Sequence, residues 1–279
     1  MRFRTECGLF ICEMIDKMKY FRILYVALAA MFMTGCDDTK NPVENVESRF
    51  ARRVCVMEFT GTWCSQCPAG AATLNYLVDR AYKDQAFAMA FHNEDEYTIP
   101  AERELSSLFS LGGYPSYLTD MRDSGLLNEG TCGLSIDKSL YDVPVHCGAA
   151  VSSECDAQGN VKVTARIFSE RTEEYRIAAY VIEDNIEGKQ LLGTGATQED
   201  YNHRHVVRKM LTSTVKGDSV GIIAAEQEGG MTFTFKVEES WKLDDLSVAV
   251  LAINSEGHVD NMAICAADGG CMDYEYVNN

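Results

Sequence analysis

The chain has 279 residues, enough for one large or two ordinary domains, and its 46% apolar content is sufficient for real cores. A formal charge of −17 argues against nucleic acid as a partner and against docking on anionic lipid by charge. Solubility alone accounts for such acidity.

Residues 1–35 form a targeting segment. Met18-Lys19-Tyr20-Phe21-Arg22 is a basic start, and the apolar run 23–33 is too short for a permanent membrane span. The run ends Met33-Thr34-Gly35-Cys36, which resembles a lipobox with methionine in place of the commoner leucine. Residues 1–17 carry Glu6, Glu13 and Asp16 and fit no signal peptide, so translation is expected to start at Met18. An ordinary membrane anchor is the rival, but Asp37-Asp38 directly after the run suits a processed lipoprotein better. The expectation is a secreted protein lipidated at Cys36, with 36–50 as a polar tether.

Over 51–143 the order reads strand, helix, strand, helix, strand, strand, helix. Residues 54–60 are apolar and β-leaning, and the chain turns at Thr60-Gly61. Thr62-Trp63-Cys64-Ser65-Gln66-Cys67-Pro68 then leads into a helix with Leu74 and Leu77 at i, i+3. Two cysteines three apart at a strand-to-helix junction sit where the first helical turn aims unpaired N–H groups outward. Those groups and the helix dipole stabilise a thiolate on Cys64, and the spacing lets Cys67 attack a mixed disulfide formed there. Half a zinc site and a structural disulfide are the other meanings of such a pair. No second CxxC or CxxH stands at metal-ligand spacing, so the redox reading leads, with no metal and no cofactor. Residues 86–91 are a short buried strand. Pro100 opens a helix over 100–111 with Leu105, Leu108 and Phe109 on one face. Residues 116–119 and 125–127 read as a hairpin, and 134–141 as a closing helix. This alternation implies a parallel core with a right-handed crossover.

From 144 onward the texture changes to short strands with turn signals, at 145–153, 160–169, 175–183, 231–237, 246–254 and 259–266. Val161, Val163, Ala165 and Ile167 alternate with more polar neighbours, as in a sheet with one buried face. The expectation for 144–279 is an all-β, immunoglobulin-like sandwich packed beside the first domain.

Several of these residues resemble a known pattern. Trp63 precedes the first cysteine, and Glu58 lies six residues before it, near the position of the buried proton-relaying carboxylate of thioredoxins. Gly112-Gly113-Tyr114-Pro115-Ser116-Tyr117-Leu118 resembles the segment in which a cis-proline faces the two sulfurs. The resemblance implies an α/β thioredoxin-like domain over 51–143. In it Cys64 is the nucleophile, Cys67 the resolving thiol and Glu58 the proton-handling group, while Trp63, Tyr114 and Pro115 shape a substrate groove. Together with the acidic lipoprotein start and Tyr201-Asn202-His203-Arg204-His205-Val206-Val207-Arg208, the chain resembles the outer-membrane-protein-28-related family of thioredoxin-like lipoproteins. What this implies is an outer-membrane, lipid-anchored thiol–disulfide oxidoreductase acting on protein thiols or disulfides. The alternative is a non-catalytic surface binding or adhesion lipoprotein whose CxxC is a staple.

His203 and His205 would face one way on a strand and offer two metal ligands. With no third ligand nearby, a polar strand or loop is the reading. Cys55, Cys132, Cys147, Cys155, Cys265 and Cys271 are an even set in an exported chain, and most of their pairing is open. Cys55, on the first buried strand, reads as a small core residue. Cys265 and Cys271, close in sequence across Gly269-Gly270, are expected to form a disulfide.

Overall fold

The computed structural model describes residues 48–277. The expected signal segment, the lipidation site Cys36 and the tether up to residue 47 lie outside the described residues.

Strand β1 (Val54–Thr60) is buried at every position, as its unbroken apolar run requires. Helix α1 (Cys67–Tyr76) begins with Pro68 in its first turn and continues into a single π-helical turn, Leu77–Ala81. Leu74 and Leu77 are both buried on the face that covers the sheet. β2 (Ala86–His92) runs parallel to β1 and in register from Val54↔Ala86 to Thr60↔His92. After α2 (Pro100–Leu108), strand β3 (Ser116–Thr119) joins the other side of β1 in antiparallel fashion, and β4 (Asp123–Leu126) pairs with β3. Helix α3 (Glu129–Tyr141) is capped by Asn128, whose side chain accepts from the Thr131 N–H at 3.0 Å.

The remainder is almost all strand: β5 (Cys147–Cys155), β6 (Asn160–Ser169), β7 (Glu173–Glu183), β8 (Ile186–Leu191), β9 (Thr197–His203), β10 (Val206–Met210), β11 (Asp218–Ile223), β12 (Gln227–Lys236), β13 (Leu246–Ile253), β14 (Val259–Ala266) and β15 (Cys271–Met272). Strands 160–169 and 259–266 have the expected bounds. The polar strands β8 and β9 carry no such signal, nor do the short β10, β11 and β15.

The expected fold class, an α/β thioredoxin-like domain followed by a separate immunoglobulin-like sandwich, is overturned by the sheet. One mixed, nine-stranded sheet has the order β14-β13-β7-β10-β2-β1-β3-β4, with β11 added on β7. Strands from the second half thus complete the sheet begun by the first, and the described chain is mostly strand with few helices. Alternation and turn signals report which face of a strand is buried, whereas nothing in them tells which strand takes an open edge. Here β10 takes the free edge of β2 through Val206↔Ala90, and the Ala90 N–H donates to the His205 carbonyl at 2.7 Å. Sandwich-like packing survives in part. The four-stranded sheet β12-β6-β5-β15 shares one apolar cluster, including Val163, Ile167 and Phe235, with Tyr175, Val181 and Val250 of β7 and β13.

A second cluster joins Met57, Phe59 and Phe91 of the first half to Tyr180, Val207, Leu251 and Met262 of the second. The two ends of the described chain also meet. Phe50 and Tyr276 form an antiparallel bridge, Ala51 N–H donates to Glu275 O, and Val277 N–H donates to Arg49 O.

The expected Cys265–Cys271 disulfide is absent: both are free thiols. Cys265 is buried in the cluster between the sheets, while Cys271 is exposed on β15, which pairs with β5. Cys55, Cys132, Cys147 and Cys155 are free as well.

Candidate functional site: the Cys64–Cys67 pair and its cover

Cys64 and Cys67 form the single disulfide among the described residues, with Cα atoms 5.4 Å apart. The helix starts at Cys67, and Cys64 sits in the turn before it. That turn is closed by Cys64 N–H donating to Gly61 O at 3.0 Å and Cys67 N–H donating to Cys64 O at 3.2 Å. α1 has no side-chain cap and no acidic residue in its first turn, so its positive end is left uncompensated beside the sulfurs. Both cysteines are enclosed. Cys64, at 6% exposure, is the more accessible of the two, and Cys67 is at 1%.

Glu58 lies on β1 at 3% exposure, and its Oε1 has no hydrogen-bond partner. Burial pushes its carboxyl up to about 8, because the charged form loses water without gaining a cation. Glu58 and Cys67 line one small cavity of about 20 Å³ together with Asn75, Gln190, Tyr201 and His205. That is room for about one water. Cys132 of α3 is also buried, and its thiol is pushed up to about 12, first by burial and then by the nearby Glu58.

The groove residues gather on the other side. Trp63 is 45% exposed, donates from Nε1 to Asn93 O at 2.7 Å, and meets the Tyr114 ring edge-on at 5.5 Å. Tyr114 donates to Glu102 Oε1 at 2.7 Å, and Glu102 Oε2 accepts from Asn93 Nδ2 at 2.9 Å. Burial, then this bond, pushes the Tyr114 phenol up to about 12. The Tyr114–Pro115 bond is cis. Gly70 of α1 faces Pro115 so closely that a Cβ there would lie 2.8 Å from the ring, which is why the helix can approach. Cys64, Cys67, Glu58, Trp63, Tyr114 and Pro115 are thus gathered at one end of β1 and α1, and Cys36 is outside the described residues.

Sequence reasoning missed what covers the pair. The β8–β9 hairpin belongs to neither large sheet and lies across the Cys64 turn. Gln190 is 3% exposed, and its Nε2 lies 3.4 Å from Gly61 O, 3.2 Å from Thr62 O and 3.1 Å from Cys64 O. Leu191 N–H donates to Thr62 O at 2.8 Å. No local signal marks Gln190, although the neighbouring Tyr201–His205 stretch stood out through its resemblance. His203 and His205 do not act as a pair. His203 ends β9 with its ring 5.4 Å from His92 and 5.2 Å from Tyr97, and burial, with His92 second, brings its pKa down to about 4. His205 has left-handed backbone (φ 57°), turns away from the strand, and places Nε2 3.1 Å from Asn75 Oδ1. No cluster of three or more metal-ligating side chains occurs among the described residues.

Comparisons with known proteins give a family and a fold. The family described as Outer membrane protein Omp28 matches residues 104–267. No curated protein matches the chain. Among solved structures, HBP35 of Porphyromonas gingivalis is similar with TM-score 0.65 and 21% identity, over 79% of this chain and 76% of that one. At that identity the likeness is one of fold. A domain of the outer membrane lipoprotein Omp28 from Porphyromonas gingivalis gives TM-score 0.32 and 14% identity, over 46% of this chain and 93% of that one. With more than half of its length matched, the chain belongs to the Omp28 family of outer membrane proteins.

Proposed function

We propose that the protein is a thiol–disulfide oxidoreductase of the cell envelope that exchanges with protein thiols or disulfides through Cys64 and Cys67. The observation that carries the reading is Glu58. A purely structural staple gains nothing from an unpartnered carboxyl buried beside it, whereas a leaving thiolate needs a proton donor whose pKa lies near neutrality.

In the reaction a partner thiolate attacks Cys64 Sγ. The Cys64–Cys67 bond breaks, its electron pair leaves on Cys67 Sγ, and Glu58 gives that sulfur a proton, directly or through one water in the shared cavity. A second partner thiolate then attacks the partner's own sulfur in the mixed disulfide. Cys64 leaves as a thiolate, stabilised by the uncompensated positive end of α1, and the partner departs oxidised. The reverse sequence reduces a partner disulfide with the same atoms. Trp63, Tyr114 and Pro115 form the wall along which the partner chain lies.

A second reading, a surface binding or adhesion lipoprotein with a structural disulfide, is favoured by one observation: both sulfurs are almost fully enclosed. Exchange with glutathione and dithiothreitol separates the two. The wild type should equilibrate with both. Cys64→Ser should abolish exchange, and Cys67→Ser should accumulate a mixed disulfide on Cys64, read by mass. A disulfide that resists both thiols leaves the binding reading in its place.

A further inference from the structure

The β8–β9 hairpin is held at two ends by different means. Its base is packed: the His203 ring sits against His92, Tyr97 and Tyr201, with centroids 4.9 to 5.4 Å away, and Gly188 leaves no room for a Cβ beside the Tyr97 hydroxyl. Its outer half is held by polar contacts, the Gln190 amide and the Leu191 N–H on the Cys64 turn. Beyond them the tip turns at Gly195 (φ 83°), where Leu192 N–H donates to Ala196 O, and Gly193 lies against the Ser65 carbonyl between the two cysteines.

We infer that this hairpin is the cover that selects the partners of Cys64, and that Gln190 is its latch. The inference rests on the thiol–disulfide reading above. The amide is not needed to satisfy the turn beneath it. Gly61 O already accepts from Cys64 N–H, Thr62 O from Leu191 N–H, and Cys64 O from Cys67 N–H. What Nε2 adds is a tie between the hairpin and the turn, buried at 3% exposure among three turn carbonyls and its neighbour Leu191 O at 3.0 Å. Loss of the amide therefore leaves the turn intact and the Leu191 N–H on Thr62 O as the remaining polar tie, so the outer half lifts more readily on its packed base.

With the cover down, Cys64 is only 6% exposed, which leaves no room for a polypeptide lying along Trp63 and Tyr114. A small thiol needs a smaller opening than a polypeptide does. An extended cysteine-containing polypeptide reacts when the outer half of the hairpin lifts, which makes Gln190 a specificity-determining residue.

The test uses the protein purified from membranes in detergent, with Gln190→Ala and the bulk-preserving Gln190→Met. The rate at which the Cys64–Cys67 bond opens is measured with dithiothreitol and with a peptide of about ten residues carrying one central cysteine. Loss of one buried tie should raise the open population, and with it the peptide rate, by about five- to tenfold in both variants, several-fold more than any change in the dithiothreitol rate. Hydrogen exchange should quicken in 186–203 and 61–65 and stay unchanged in β7 and β13. Equal peptide rates in wild type and variants, a response confined to Gln190→Ala, or equal changes with both reductants would each overturn the latch. If dithiothreitol fails to open the bond in the wild type, the oxidoreductase reading fails. The exchange pattern in 186–203 then still decides whether Gln190 holds the hairpin down.

Discussion

Glu58 sets burial against charge. Its carboxyl titrates at about 8 in the folded chain against an ordinary value of 4.5, so the native state holds the proton more tightly than the unfolded one. The sign follows directly. This residue costs nothing below pH 4.5, subtracts stability as pH rises from 4.5 toward 8, and subtracts a constant amount above that. Glu58→Gln should therefore gain on the wild type with rising pH across that window, by about 1.4 kcal/mol per pH unit at most. Urea midpoints at pH 5 and pH 8 measure it, and a difference that stays flat between them would show the carboxyl to be ionised throughout. In exchange kinetics the same substitution should slow turnover most below pH 8, where the wild type still carries the proton.

Among the elements, the thiols report how the strands are stacked. Cys271 is exposed and Cys155 half-buried, whereas Cys55, Cys132, Cys147 and Cys265 are buried in sheet or helix interfaces. Burial raises the pKa of each of these four, which removes the reactive thiolate as well as the access. A maleimide pulse on the folded protein, mapped by peptide mass, should modify Cys271 first and Cys155 next, and leave the other four for unfolding conditions. Rapid labelling of Cys265 would contradict the packing between the two sheets. The close spacing of Cys265 and Cys271 in the chain misleads because β14 and β15 give one side chain to the interior and the other to solvent. Other parts of the site were legible. The apolar run of β1, Pro68 in the first turn of α1, and the six-residue step from Glu58 to Cys64 all lie within one strand–turn–helix unit, where local chemistry dictates geometry. The hairpin was not legible, because Glu187, Lys189, Glu199 and Asp200 hide its alternation and its partner surface lies more than a hundred residues upstream.

At the scale of the whole molecule, the sheet decides how the described chain unfolds. The site lies in the first half, yet Met57, Phe59 and Phe91 share a cluster with Tyr180, Val207, Leu251 and Met262 from the second. β2 and β10 complete one sheet through Val206↔Ala90. A core shared in this way melts as one body. The two tryptophans make this measurable, because Trp63 stands at the disulfide and Trp241 is buried against the second half. Trp63→Phe and Trp241→Phe variants, each followed through its remaining indole, should give coincident urea transitions once corrected for the substitutions. Two separated midpoints would mean that the halves hold together independently. The alternation of strands and helices in 51–143 could not foretell this, since an open edge on β2 is silent about what will close it.

The meeting of the two ends carries a mechanical consequence. Tension arriving through the chain ahead of Ser48 falls first on the Arg49–Val277 and Ala51–Glu275 backbone bonds. It falls also on the ion pair between Arg53 and Glu275, at 2.9 Å. The buried Arg52–Asp120 pair and the bond from Arg53 N–H to Asn261 stand next, and in β1 the parallel register with β2 over seven residues loads many bonds together rather than one after another. The segment 275–277 thus acts as a strain relief, like the clamp on a cable, and the turn that bears Cys64 sits behind these barriers, shielded from a pull on the chain ahead of Ser48.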